Sequence, residues 1–401
     1  MLREEIVIKS VPVGELGIIP LSSCAMLGDR INYYITSWRK NRESEYKKDI
    51  SFAGYEKETY LLNAETPRFG SGEAKGLIKD TVRGKDIFLL VDVCNHSIEY
   101  SMAGQTNRMS PDDHFQDVKR VIAAIAGKAK RITVIMPFLY ESRQHKRTGR
   151  ESLDCALGLQ ELYNMGVDNI ITFDAHDPRV INAAPLCGFE NIRPSYQFLK
   201  SLCKFEKDIQ FDKEHLIMIS PDEGALDRSV YFASVLGIDM GLFYKRRDYS
   251  QVVNGANPII AHEYLGPNIE GKDVIVVDDM IASGGSMIDT ARDLKSRGVK
   301  RVFIFSTFGL FTKGLDKFDK AYEEGLIDRV LTTNLTYQTP ELLEKEYYIN
   351  VDMSKYVSFI IDTLNHDASI SDLLDPSTKI KTLIEKYNHG GLSADEIDKM
   401  D

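Results

Sequence analysis

The sequence predicts an α/β protein built from mainly parallel sheets flanked by helices. Short apolar runs rich in β-branched residues recur along the chain, amphipathic segments alternate with them, and glycines close several of those segments. The runs KDIFLLVDV, KRITVIMPF, DNIITFDAH, EHLIMISPD, KDVIVVDDM and KRVFIFSTF read as buried strands. Each is entered from charge and left through polar residues, as a strand covered on both faces requires. Between the first two, HFQDVKRVIAAIAGKA sets Phe115, Val118, Val121, Ile122 and Ile125 at helical spacing. ESLDCALGLQELYNMG and DRSVYFASVLG repeat the pattern, each ending at a glycine that suits a helix C-terminus. AKRITVIM, VDNIITFD and VKRVFIFS each open a strand after a helix. They fit an internal duplication and equally the general grammar of αβ units.

At 401 residues the chain is long enough for two domains, at about 100–200 residues each, and for a core that needs no disulfides. The stretch SYQFLKSLCKFEKD, residues 195–208, marks the expected boundary. The expected division is residues 1–200, residues 201–365, and a polar tail at 366–401 with one or two short surface helices. The formal net charge of −10 argues against a broad nucleic-acid surface, while local basic clusters still suit phosphorylated small molecules. The five cysteines form no CxxC pair and their number is odd, which reads as cytosolic thiols. No run is apolar over the roughly 18 residues of a membrane span, and MLREEIVIKS lacks a signal-peptide core. The expectation is a cytoplasmic protein without membrane or nucleic-acid partners.

One stretch carries the most chemistry: VIVVDDMIASGGSMIDTARDLKSRG, Val274 to Gly298. It reads as strand, loop and helix, with Asp278 and Asp279 at the strand's carboxyl end, where ligands bind in open parallel sheets. The small loop residues Ser283, Gly284, Gly285 and Ser286 let backbone N–H groups approach a ligand, and a helix N-terminus favours anions. The loop suits a phosphate. The carboxylates cannot bind that phosphate, but suit sugar hydroxyls or a divalent cation shared with the ligand. The stretch therefore asks for a sugar phosphate.

Other strand ends add to this. MPFLYESRQHKR places Arg143 beside Gln144, ahead of His145, Lys146 and Arg147; guanidinium forks grip phosphates and a side-chain amide both donates and accepts. ITFDAH ends the next strand with Asp174 and His176 two residues apart, so period two puts both side chains on one face, and imidazole beside carboxylate can hold a metal or orient a phosphate. ISPDEGALDRS places Asp222 at a strand end and Gly224 in the turn that follows. Lys245, Arg246 and Arg247 open the long segment KRRDYSQVVNGANPIIAHEYLGPNIEGK, whose length and composition suit a lid over a phosphate site. No GxxxxGK[ST] occurs, which removes the simple P-loop kinase reading.

The acid-pair stretch resembles the 5-phosphoribosyl diphosphate signature of type I phosphoribosyltransferases. In order, FGSGE (Phe69 to Glu73), RQ, DAH, SPDEG, KRR and DDMIASGGS resemble the ribose-phosphate diphosphokinase family, also called phosphoribosyl diphosphate synthase, over roughly residues 60–365. The resemblance implies two phosphoribosyltransferase-like domains, the first on the ATP side and the second on the ribose 5-phosphate side. It implies transfer of the ATP diphosphoryl group to the 1-hydroxyl of ribose 5-phosphate, with Mg²⁺, in a homo-oligomer with a shared ATP site. In that reading Phe69 and Glu73 contact adenine from a neighbouring subunit, and Arg143 and Gln144 hold ATP. His176 and Asp222 help bind metal, and Lys245 and Arg247 close over the transferring group. Asp278 and Asp279 take the ribose, and Ser283, Gly284, Gly285 and Ser286 the 5-phosphate. The chain departs from the family at His145, Gly70 and Ala282, where acids are usual. Two alternatives stay open: a catalytically silent homologue that regulates an active synthase, and a phosphoribosyltransferase that consumes the sugar diphosphate.

Overall fold

The computed structural model describes residues 10–42, 52, 54–247, 259–390 and 392–400; the side chains of 245–247, 259–262 and 399 lie outside the described set. The chain forms two compact units. The first comprises residues 1–193, 334–337 and 352–374, and the second 194–333, 338–351 and 375–401.

In chain order the first unit carries β1 (Glu15–Pro20), β2 (Ala64–Glu65), β3 (Leu77–Ile78), β4 (Lys85–Leu90), β5 (Glu99–Met102), β6 (Gln105–Arg108), β7 (Arg131–Ile135), β8 (Asn169–Phe173) and β9 (Gly188–Ile192). Its main sheet runs β1-β4-β7-β8-β9 with every pair parallel. Ile18, Phe88, Leu89, Val134 and Ile170 have no solvent exposure, which is why these strands read as continuous apolar runs. The helix Pro111–Ile125 shows how local sequence sets an element. Ser110 and Asp113 form a reciprocal capping box and Pro111 takes the first turn. The helix stops where Ala126 and Gly127 turn to positive φ. Antiparallel pairs β2–β3 and β5–β6 stand apart from this sheet.

The second unit carries β10 (Leu216–Ser220), β11 (Asp239–Arg247), β12 (Ile259–Leu265), β13 (Asp273–Ile281), β14 (Arg301–Gly309), β15 (Arg329–Thr333) and β16 (Tyr348–Val351). Its sheet runs β12-β11-β10-β13-β14-β15-β16, parallel except for the β11–β12 pair. Val274, Val276, Val302, Ile304 and Val330 pack in one core with Ile288, Ala291 and Leu294 of the helix Gly285–Ser296. The helix Ser377–Gly390 near the C-terminus buries Ile380, Leu383 and Tyr387. It is tied to the region of the helix Ser195–Phe205 by the Tyr387 hydroxyl, which donates to Glu206 O at 2.6 Å. Lys204 pairs with Asp398 at 2.7 Å at the same docking face. Within the segment expected to act as a lid, residues 259–265 form the antiparallel edge strand β12, and 248–258 lie outside the described residues.

The two sheets repeat one device at their strand entrances. Asp86, second in β4, accepts two hydrogen bonds from Arg131 of β7, at 2.8 and 2.7 Å. Asp273 opens β13 and accepts two from Arg301 of β14, at 2.9 and 2.6 Å. Asp168 then accepts from Ile132 N, and Asp328 from Val302 N, each at 2.8 Å. The matched phrases AKRITVIM and VKRVFIFS thus hold equivalent places in the two sheets, which supports duplication over generic αβ grammar. The sheets differ in winding. In the first, spatial order follows chain order. In the second, β10 lies between β11 and β13, so the winding reverses beside β10. That reversal is where an open sheet forms a ligand crevice.

Candidate active site

The crevice lies beyond the carboxyl ends of β10 and β13. At the end of β13, Asp278 is half-buried while Asp279 is 3% exposed, as alternation to opposite faces requires. Asp278 Oδ1 accepts from Asp279 N at 2.9 Å, and Asp279 Oδ1 from Met280 N at 2.8 Å. Asp279 Oδ2 lies 3.7 Å from Nη2 of Arg228, which is also buried. Burial raises the proton affinity of Asp278 well above the ordinary carboxylate range, and the negative charges of Asp279 and Asp222 raise it further. Asp222 follows β10 in the turn that leads to the helix Leu226–Leu236. Its Oδ1 accepts from Gly224 N and Ala225 N at 3.0 and 3.3 Å, and its carbonyl accepts from the Ser220 hydroxyl at 2.6 Å. Asp222 and Asp278 each stand just past the carboxyl end of a strand, β10 and β13, which are neighbours in the sheet.

The loop after the acids is fixed by its neighbours. Ile281 O accepts from Leu310 N and Phe311 N at 2.9 and 3.2 Å, and Ala282 O from Thr312 N at 2.8 Å. Gly284 has φ +76°, and a Cβ there would fall 2.2 Å from Cε2 of Phe318; both its backbone and its surroundings demand glycine. The helix Gly285–Ser296 starts without a side-chain cap and with no acidic residue in its first turn. Its positive dipole end is therefore left for an outside anion. Ser283 and Ser286 are exposed beside it, and the Lys317 ammonium lies 4.0 Å from the point a Cβ on Gly285 would occupy. The loop thus joins small residues, uncapped amides and a nearby cation.

In the first unit, the loop after β7 holds Arg143 and Gln144. Arg143 is exposed, and its charge partly offsets the burial that raises Glu141 and Cys94. The Gln144 amide donates to Lys146 O and Ser152 O at 3.1 and 2.8 Å, so it braces its own loop. His145 Nε2 lies 3.4 Å from Asp177 Oδ2, and its ring is 5.4 Å from that of His176. The expected shared face for Asp174 and His176 does not form. β8 ends at Phe173, Asp174 turns to φ +40° and is buried, and His176 is exposed. Phe69 is 53% exposed and Glu73 is exposed at the tip of a tight turn closed by Phe69 N to Glu73 O at 2.7 Å. The turn's base is set by Arg68, whose buried guanidinium pairs with Asp117 at 3.0 Å.

His176 belongs to the first unit and Asp222 to the second. Among the described residues no group of three or more His, Cys, Asp or Glu side chains is placed to hold a metal ion. Lys245 and Arg247 end β11, and their side chains lie outside the described residues. Among the described residues no helix is long and apolar enough to cross a membrane. The sequence reading missed Arg228. Its only signal is a charge in an amphipathic helix, which reads as an ordinary polar face.

Residues 16–166 match the family described as the N-terminal domain of ribose phosphate pyrophosphokinase, and residues 189–325 match the phosphoribosyl transferase domain family. A ribose-phosphate pyrophosphokinase of Vibrio cholerae is 28% identical over 318 residues, which is 79% of this chain and 92% of that protein. One of Buchnera aphidicola is 31% identical over 277 residues, 68% of this chain and 78% of its own length. The crystal structure of phosphoribosylpyrophosphate synthetase from Mycobacterium smegmatis superposes with a TM-score of 0.66 at 20% identity, covering 88% of this chain and all of that one, and so shares the fold. Two phosphoribosyltransferase-like units, matched in order along the chain, place this protein in the ribose-phosphate pyrophosphokinase family.

Proposed function

We propose that the protein transfers the diphosphoryl group of ATP to the 1-hydroxyl of ribose 5-phosphate, giving 5-phosphoribosyl 1-diphosphate and AMP. The observation that carries this reading is the acid pair and uncapped glycine loop at the winding reversal of the second sheet, in a chain whose relatives are named ribose-phosphate pyrophosphokinase. The amides and hydroxyls of Ser283 to Ser286 hold the 5-phosphate, and Asp278 and Asp279 serve the ribose. Phe69 and Glu73 receive adenine, Arg143 and Gln144 bind ATP, and Lys245 and Arg247 neutralise charge on the transferring group. Phosphoryl transfer needs in-line positioning and charge neutralisation rather than a covalent protein intermediate, and the cations of Arg143, Lys245 and Arg247 suit that need.

The carboxylates of Asp222, Asp278 and Asp279 are hard oxygen donors of the kind a divalent cation such as Mg²⁺ takes. Asp222 would help hold it, and the family resemblance assigns His176 to metal binding as well. Bound there, the ion would neutralise phosphate charge and orient the diphosphoryl group. Exposed Phe69 suits an adenine site completed by a neighbouring copy, hence a homo-oligomer, and the substrates are cytoplasmic metabolites.

His145 paired with Asp177 and Gln144 engaged in its own loop favour a second reading, a catalytically silent homologue that regulates an active synthase. The deciding experiment incubates purified protein with ribose 5-phosphate and several nucleoside triphosphates, with and without Mg²⁺. AMP together with phosphoribosyl diphosphate, lost on chelation, supports the synthase. A folded protein that yields no AMP supports the regulatory reading, and product consumption requiring a base but no ATP supports a phosphoribosyltransferase.

A further inference from the structure

We propose that Arg228 is a positioning residue that divides the labour of the acid pair: it clamps Asp279, and Asp278 alone meets the sugar. This rests on the ribose 5-phosphate site described above and refines it. Neighbouring residues of a regular strand face opposite ways, so Asp278 and Asp279 cannot offer equivalent carboxylates to one ligand. Their surroundings differ accordingly. Asp279 is almost fully buried, with one carboxylate oxygen taken by Met280 N at 2.8 Å and the other 3.7 Å from Arg228 Nη2. A carboxylate buried without a counter-charge is strongly unfavourable, and Arg228, itself 8% exposed, supplies that charge. Asp278 stays half-buried at the end of β13, one strand over from β10 and the turn that holds Asp222.

Arg228 has a second hold. Its Nη1 donates to Gly224 O at 3.3 Å, in the same turn whose amides fix the Asp222 carboxylate. One guanidinium therefore ties the turn after β10 to the acid pair after β13. It sets the spacing between the two loops that form the crevice without needing to touch ligand. Lysine at this position keeps the charge but lacks the fork that reaches two partners.

The test is a double-mutant cycle on the purified full chain, with ribose 5-phosphate affinity read by calorimetry and the thermal midpoint recorded for every variant. Arg228→Met and Asp279→Asn should each weaken binding about tenfold, and the double variant should be no weaker than the worse single one, because both break one interaction. Asp278→Asn should cost about a hundredfold with or without the Arg228 change, and Arg228→Lys should restore part of the loss. If Arg228→Met does not fold, Arg228→Lys against Asp279→Asn runs the same cycle. A further tenfold loss from Asp279→Asn in the Arg228→Met background would make Asp279 an independent sugar ligand and overturn the proposal. Unchanged affinity in folded Arg228→Met would overturn it as well. Wild-type protein that binds no ribose 5-phosphate would instead overturn the functional reading on which the proposal stands.

Discussion

Arg301 grips Asp273 through both Nε and Nη2, at 2.9 and 2.6 Å, where the strand carrying the acid pair enters its sheet. Asp273 is buried, and that fork supplies its counter-charge. Arg301 also reaches Asp208 at 2.7 Å, and the hydrogen bonds it donates to Asp273 do most to raise its own pKa. Removing one partner leaves an uncompensated carboxylate. Arg301→Met should lower the stability of the second unit by roughly 2–4 kcal/mol, and Arg301→Lys should recover less than half of that. Chemical denaturation of the three proteins checks this. Equal stability of all three would show the fork to be dispensable.

Gly284 answers to both backbone and packing. Gly284→Ala meets a left-handed φ and the Phe318 ring together, at a cost of about 2–4 kcal/mol if the loop holds its shape. A loop that instead relaxes loses the helix-start amides as a phosphate cradle. Either way ribose 5-phosphate affinity should fall at least tenfold while ATP affinity changes little. Calorimetric titration with each substrate gives the comparison. Retained ribose 5-phosphate affinity would detach the loop from phosphate binding.

The strands most visible in the sequence are those the sheets bury on both faces. The runs around β4, β7, β8, β10, β13 and β14 were legible because Ile87, Val134, Ile171, Ile217, Val274 and Ile304 need apolar surroundings on either side. The hairpin β5–β6 was not, because most of its residues are exposed and carry no periodic apolar signal. Its one cue is Ala103-Gly104, both at positive φ, a weaker turn pair than Asn-Gly. β12 (IIAHEYL) is an edge strand inside the long segment read as a lid, and β16 is only YINV. The acid pair and its loop could be read directly because their spacing is local. The clamp by Arg228 could not, since it joins elements about fifty residues apart.

Phe69 separates binding from folding. A side chain 53% exposed contributes little to the stability of an isolated unit. Phe69→Ala should therefore leave the thermal midpoint within about 1 °C while raising the KM for ATP roughly tenfold, with the KM for ribose 5-phosphate unchanged. Steady-state kinetics against each substrate, paired with a melting curve, decides it. An unchanged ATP KM would remove Phe69 from the nucleotide site.

Acid sensitivity should concentrate in the first unit. Burial alone would raise Asp362, but Arg39 and Arg42 hold it down at about 2, with Arg39 Nη2 at 2.8 Å and Arg42 Nη2 at 2.8 Å. A depressed carboxylate contributes stability that is complete above its unfolded pKa near 4 and is lost as pH falls toward 2, on the order of 2 kcal/mol. His366, lowered chiefly by burial, adds a loss that starts as pH drops below its unfolded value near 6.5. Asp362→Asn should flatten the dependence of stability on pH between about 4 and 2 while costing roughly 3 kcal/mol at neutral pH. Denaturation across pH tests both halves. A wild type equally stable at pH 2 and pH 6 would contradict the assignment.

The central claim is that an intact diphosphoryl group moves from ATP to the anomeric hydroxyl of ribose 5-phosphate. Phosphorus NMR of purified protein with ATP, Mg²⁺ and ribose 5-phosphate observes that transfer directly. AMP and the paired diphosphate resonances of phosphoribosyl diphosphate should grow in equal amounts as ATP and ribose 5-phosphate disappear. ADP as the nucleotide product, or an unchanged spectrum from folded protein that binds both substrates, would contradict the account.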